Sequence, residues 1–240
     1  MPTLTADLIA AALPREARPA SVPPGLPPDA LAEGLAAVLR ARPHPSGVWV
    51  FAYGALMWRR GEYAVGQVVP ARLPAHARRH ALADLSDRGT PEAPGLTLGL
   101  EPDAGAACEG LLLHAPEDAL GPALSAIWTQ EMRPGFYRAA WVAPEPTVGD
   151  RRPIPALTFL CDPDSPLNVG APATAEETAE VLARAVGLNG PAADYLRRTC
   201  AALREHDLRD EGLFALEPLV AARLEGRTAV SAGAPPRPPA

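Results

Sequence analysis

Val48-Trp49-Val50-Phe51-Ala52-Tyr53-Gly54-Ala55-Leu56-Met57-Trp58 is the stretch from which the fold is read. Its first five residues are apolar without interruption, the pattern of a strand buried on both faces. The Tyr-Gly step that ends it is a turn glycine takes easily, and such a turn can present bare backbone N–H groups to a ligand. It becomes a site only if the rest of the chain brings a reactive group to it.

The 240 residues are 48% hydrophobic, enough for one folded domain with a loose start and end. A net charge of −6 and scattered arginines leave no basic footprint, so neither nucleic acid nor an anionic membrane surface is an expected partner. The chain has no lysine, which excludes Schiff-base chemistry and a phosphate loop built on Lys. Cys108, Cys161 and Cys200 lie far apart in apolar settings and read as buried thiols of a reducing compartment. No run has the length of a membrane helix, and the start lacks a basic leader, so a cytoplasmic protein is expected.

Residues 1–47 form a Pro/Ala-rich extension with one helix over 29–40, where Leu31, Leu35, Val38 and Leu39 share a face and Asp29 caps it. The domain proper spans 48–226, and 227–240 reads as a disordered Pro-rich tail. Residues 66–73, 80–85, 96–100, 108–114, 136–143 and 156–161 follow the first strand as short strand candidates. A hairpin is expected across Glu101-Pro102-Asp103-Ala104-Gly105. After residue 162 come helices, the first opened by the capping box Thr174-Ala175-Glu176-Glu177 and stopped at Gly187. The last, over 213–224, is kinked or started by Pro218. Strands followed by helices give an α+β domain, with the strands in a barrel or strongly curved sheet.

One helix, over 116–132 with Glu117 and Asp118 in its first turn, interrupts the strands. Leu120, Leu124, Ile127 and Trp128 form its apolar stripe, and steps of seven, four and three from the last three all reach Glu131. A carboxyl there faces the core in the last turn, where the helix dipole disfavours negative charge. Burial raises such a carboxyl toward neutrality, as a general acid/base at physiological pH requires; a structural pairing with Arg133 or Arg138 is the other reading. His76 and His80 have the spacing of a metal pair only on a helix, which Pro74 and the local alternation oppose, so no metal is expected. The loops 84–95 and 162–170 read as solvated turns or as pocket walls.

The run 49–58, the loop Arg88-Gly89-Thr90-Pro91-Glu92 with Pro94-Gly95-Leu96, Glu131-Met132 with Gly135 and Tyr137, Asp162-Pro163-Asp164, Gly170-Ala171-Pro172, Asp194-Tyr195-Leu196 and Leu213-Phe214-Ala215-Leu216-Glu217 together resemble the ChaC family. The resemblance runs in order over about 49–226. It implies a small mixed or antiparallel β-barrel with flanking helices, no cofactor or metal, and a small-molecule γ-glutamyl substrate such as glutathione. By the resemblance Glu131 is catalytic and the turn Ala52-Tyr53-Gly54-Ala55-Leu56 holds the γ-glutamyl group through backbone N–H groups; Val50, Phe51 and Tyr137 are further candidates for binding the substrate, Tyr137 with an ordinary strand tyrosine as its other reading.

The implied reaction is attack of the α-amine of the γ-glutamyl group on its own γ-carbonyl, which gives 5-oxoproline and, from glutathione, Cys-Gly. Ala52 and Ala55 stand where the family has glycine and serine, Gln130 where an arginine is usual, and Asn168 where tyrosine is common. A cyclotransferase for another γ-glutamyl amine or peptide, and a non-catalytic binding or regulatory protein of the cation-transport-regulator type, are the alternative readings. The oligomeric state is left open.

Overall fold

The computed structural model describes residues 2–21, 24–59, 63 and 65–233, with side chains through residue 229. Its main sheet has six strands, β1 (Val48–Ala52), β2 (Val68–Asp84), β3 (Gly95–Ala115), β4 (Tyr137–Val142), β5 (Glu145–Pro146) and β6 (Ala156–Cys161), in the order β4-β6-β1-β3-β2-β5. β1 pairs parallel with β6 and antiparallel with β3, which buries it between two neighbours and explains its unbroken apolar run. Val50, Phe51, Leu111, Leu112, Leu113 and Leu157 are fully buried around it.

Two expectations about the strands change. Residues 66–73 and 80–85 belong to the single strand β2, and 96–100 and 108–114 to the single strand β3. The hairpin is therefore β2–β3, turning at 85–94, and not a turn at 101–105. The turn-rich residues make an excursion inside β3: the register jumps from Pro74↔Ala107 to His76↔Pro102, opposite Ala75, whose φ of +56° is left-handed. The sheet is also open, with β4 and β5 as edges. β5 is two residues long and pairs only with Ala71 and Arg72, so it cannot bridge to β4, and the barrel does not close.

Helices cover the sheet: α1 (Ala6–Ala12), α2 (Pro28–Arg40), α3 (Leu56–Arg59), α4 (Leu120–Met132), α5 (Ala175–Leu182), α6 (Ala192–Glu205) and α7 (Glu211–Gly233). The capping box forms at Thr174 and Glu177 as expected, but α5 ends at Leu182, and Gly187 lies in a small hairpin of β7 (Val186–Gly187) and β8 (Gly190–Pro191). α4 starts at Leu120, after Glu117 and Asp118, so no acid occupies its first turn. α7 contains Pro218 and runs past residue 227, where a tail was expected, to Gly233; residues 234–240 lie outside the described residues. Among the described residues no helix is long and apolar enough to cross a membrane.

The N-terminal extension is part of this packing and carries a second helix that the sequence did not announce. Thr5 caps α1 by accepting from Leu8 N at 3.1 Å, and Ile9 is 4% exposed where α1 meets α6 and α7. α2 is preceded by Pro27 and has Asp29 in its first turn without a side-chain cap. Trp128 of α4 donates to Leu31 O at 2.9 Å, and Leu26 N donates to Arg133 O at 2.8 Å, which ties this segment to α4. Ile9→Ala is expected to lower the unfolding free energy by about 2–4 kcal/mol, read as a lower denaturant midpoint at unchanged slope. A midpoint within error of the parent would show that α1 is only an ornament.

Candidate active site

At the end of β1 the chain turns through Tyr53, Gly54 and Ala55 into α3. Tyr53 is anchored from two sides: its hydroxyl donates to Phe159 O of β6 at 2.6 Å, and its carbonyl accepts from Arg78 Nη1 at 2.6 Å. Carbonyl and following N–H point in opposite directions across a trans peptide. Holding the Tyr53 carbonyl on Arg78 therefore turns the Gly54 N–H away from Arg78. Among the described residues the N–H groups of Gly54 and Ala55 donate to no backbone acceptor. A Cβ at Gly54 would lie 2.8 Å from Tyr195 Oη, so this position has no room for a side chain.

Arg78 is itself buried, with a side chain 1% exposed, and is held by Asp210 at 2.9 Å through Nε and 2.7 Å through Nη2. Asp210 also accepts from Leu213 N at 2.9 Å, at the start of α7. The turn is thus braced, through one guanidinium, by the N-terminus of a helix.

Glu131 stands in the last turn of α4. Leu120, Leu124, Ile127 and Trp128 are buried as the stripe predicts, while Glu131 is half-buried because it opens into a cavity. Its partner is neither Arg133 nor Arg138. Gln130 donates to Glu131 Oε1 at 2.8 Å, and Gln130 in turn accepts from the Tyr63 hydroxyl. Loss of hydration pushes the Glu131 carboxyl from its ordinary 4.5 up to about 7; the Gln130 hydrogen bond and Arg59 pull against this, and Asp87 adds to it.

The cavity holds about 640 Å³ of empty space with its open mouth included. Its walls include Phe51 to Leu56, Glu131 and Tyr137, and also residues not singled out from sequence as binding residues: Arg59, Asp84, Arg88, Gln130 and Tyr195. Val50 does not line it; its side chain lies in the core of the sheet. The Tyr137 hydroxyl donates to Leu98 O at 2.5 Å.

Loop 85–94 is part wall and part solvated turn: Arg88, Gly89 and Thr90 are buried and Asp87 and Arg88 line the cavity, while Glu92, Ala93 and Pro94 are exposed. Asp84 accepts from Ser86 N at 3.1 Å and Asp87 N at 2.7 Å, and Leu188 N and Asn189 N bond back to Ser86 O and Asp87 O. A Cβ at Gly89 would sit 2.0 Å from Gly95 N, so the base of the loop closes only on glycine. The loop 162–170 lies away from the cavity, and Asn168 there donates to Asp162 O at 3.1 Å. His76 and His80 are both on β2, and among the described residues no three His, Cys, Asp or Glu side chains cluster as metal ligands.

The profile of the ChaC-like protein family matches residues 48–223. The chain belongs to the ChaC-like family. A relative from Escherichia coli (strain K12), a glutathione-specific γ-glutamylcyclotransferase, is 31% identical over 182 residues, 76% of each chain. The glutathione-specific γ-glutamylcyclotransferase 1 of Danio rerio is 26% identical over 75% of this chain and 91% of its own length. A crystal structure of the yeast γ-glutamyl cyclotransferase specific to glutathione superposes with a TM-score of 0.68 at 21% identity, covering 74% of this chain and 97% of that one. That likeness shows the fold, and the family match, over 48–223, leaves α1 and α2 outside it.

In this ChaC-like chain the raised carboxyl makes a stability signature. Below pH 4.5 Glu131 is protonated both folded and unfolded; between 4.5 and about 7 only the unfolded chain releases the proton; above 7 the folded protein carries the full cost of the buried charge. Glu131→Gln should therefore raise the melting temperature at pH 8, by a stabilisation on the order of 1 kcal/mol, and the gain should shrink as the pH falls to 4.5. Thermal melts across this range check it, and a gain independent of pH would contradict the assignment.

Proposed function

We propose that this protein is a γ-glutamylcyclotransferase that acts on glutathione, with Glu131 as its acid/base. The observation that carries the reading is a carboxyl held at about 7 in the same slot as a strand-end turn whose Gly54 and Ala55 N–H groups are unclaimed by backbone among the described residues. The names of the curated relatives point to the same substrate.

The amine of the γ-glutamyl group attacks the γ-carbonyl of the same molecule, forming the C–N bond of a five-membered ring. Glu131 takes a proton from that amine and returns it to the departing nitrogen as the original amide C–N bond breaks. The products are 5-oxoproline and Cys-Gly, with no water consumed. Nucleophile and electrophile already share one chain, so the gain comes from folding a flexible substrate into the attacking geometry. The Gly54 and Ala55 N–H groups hold the α-carboxylate or the developing oxyanion. A backbone-made cradle tolerates Ala55 in place of serine, since only a hydroxyl contact is lost. Three unpaired, buried cysteines fit a cytoplasmic setting, where thiols stay reduced.

Incubation with glutathione should give 5-oxoproline and Cys-Gly in equal amounts, and Glu131→Gln should lower kcat by roughly 10²- to 10⁴-fold with the fold retained. Since the base must be ionised, kcat/KM should rise with pH through about 7. Absence of 5-oxoproline from glutathione, or full activity of Glu131→Gln, would overturn the proposal.

A further inference from the structure

Arg88 is a buried cation whose role the reaction does not explain. The residue is 6% exposed, lies in the cavity wall, and sits beside the edge-on pair Trp58 and Tyr195, its guanidinium carbon 5.8 and 5.5 Å from the two ring centroids. Its side chain makes one hydrogen bond among the described residues, from Nη1 to the carbonyl of Asn189. No carboxylate of the described residues forms an ion pair with it. Of the carboxylates that favour its charge through space, Asp84 is occupied by the Ser86 and Asp87 N–H groups and Asp194 by Arg197 at 2.7 Å, and Asp87, in the same cavity wall, makes no ion pair with it among the described residues. Buried charges are normally paired, and a guanidinium has five donors in a fork that matches a carboxylate. Here Nε and Nη2 are left with no protein acceptor among the described residues, on a buried side chain anchored by one carbonyl.

The substrate proposed above carries two carboxylates. The γ-glutamyl α-carboxylate shares a carbon with the attacking amine, so whatever holds it must lie beside Glu131. Glu131 is bonded by Gln130 and not by Arg88, and beside it the Gly54 and Ala55 N–H groups are available to the α-carboxylate. The distal carboxylate, on the departing peptide, lies many bonds farther along.

We infer that Arg88 is the specificity-determining residue for the departing group, binding the C-terminal carboxylate of a γ-glutamyl peptide through Nε and Nη2. The inference rests on the cyclotransferase reading for its choice of ligand. It adds that the site selects peptides over γ-glutamyl compounds whose departing amine bears no carboxylate.

Equilibrium binding tests it without turnover. Glutathione and glutathione esterified on its glycine carboxyl are titrated calorimetrically into Glu131→Gln, with and without Arg88→Gln. In Glu131→Gln the ester is expected to bind about 10- to 100-fold more weakly than glutathione, as for loss of hydrogen bonds to a charged group. With Arg88→Gln added, the two ligands should agree to within about threefold. Should that variant fail to fold, Arg88→Lys, which keeps the charge and loses the fork, is expected to narrow the ratio several-fold. A ratio that survives the Arg88 change, no ratio in the parent, or no binding of glutathione overturns the inference. So does collapse of the preference against the α-carboxyl ester instead. Selective binding with no 5-oxoproline from the unmodified protein would sink the cyclotransferase reading and leave the Arg88 assignment standing; turnover with an unchanged ratio would do the reverse.

Discussion

The Arg78 guanidinium is the hub on which the site depends. It joins β2, the first residues of α7 and the Tyr53 carbonyl, and its two partners leave it no alternative arrangement. Burying an ion pair contributes little net stability, because desolvation offsets most of the attraction. What it supplies is direction. A peptide plane at the end of a strand can rotate, and here one carbonyl is pinned, so the orientation of the next N–H is settled before any ligand arrives. Preorganised dipoles of this kind need not reorient during a reaction, which is where their advantage over water lies.

Glu131 follows the opposite logic. The dipole of α4 and the loss of water both work against its charge, and its nearest support is a neutral amide from Gln130. An arginine in the place of Gln130 would hold the carboxylate ionised and weaken it as a base. The amide leaves the carboxyl near neutrality, where taking and returning a proton cost about the same. The slot thus combines a rigid, prepaid backbone cradle with a side chain left deliberately uncomfortable.

Much of this was legible in sequence because it is local. An unbroken apolar run marked β1, three helical spacings converged on Glu131, and Thr174 with Glu177 announced α5. What was hidden depends on distant partners. β2 and β3 read as four strands because Pro74, Ala75 and the Asp103–Gly105 cluster carry turn chemistry, and only their mutual pairing keeps them extended. Arg88 and Tyr195 are 107 positions apart in the chain, and nothing in the spacing of either says that they meet. The family run drew attention to both without assigning them a role. The open sheet was equally invisible, since closure hinges on β5 having two residues to offer.

The extension has a consequence for biogenesis. Ala17 N bonds to Gly187 O, two residues before the Asn189 that receives Arg88, and Leu26 N bonds to Arg133 O, two residues beyond Glu131, while α1 rests on α6 and α7. α1 therefore has no docking surface until α6 and α7 have left the ribosome. Until then the apolar face of α1 stays exposed, a window in which nascent chains are open to chaperones and to mispairing. α6 also supplies Tyr195 to the cavity wall, and Asp210, at the entry to α7, holds Arg78, so the slot takes shape only once these helices have folded.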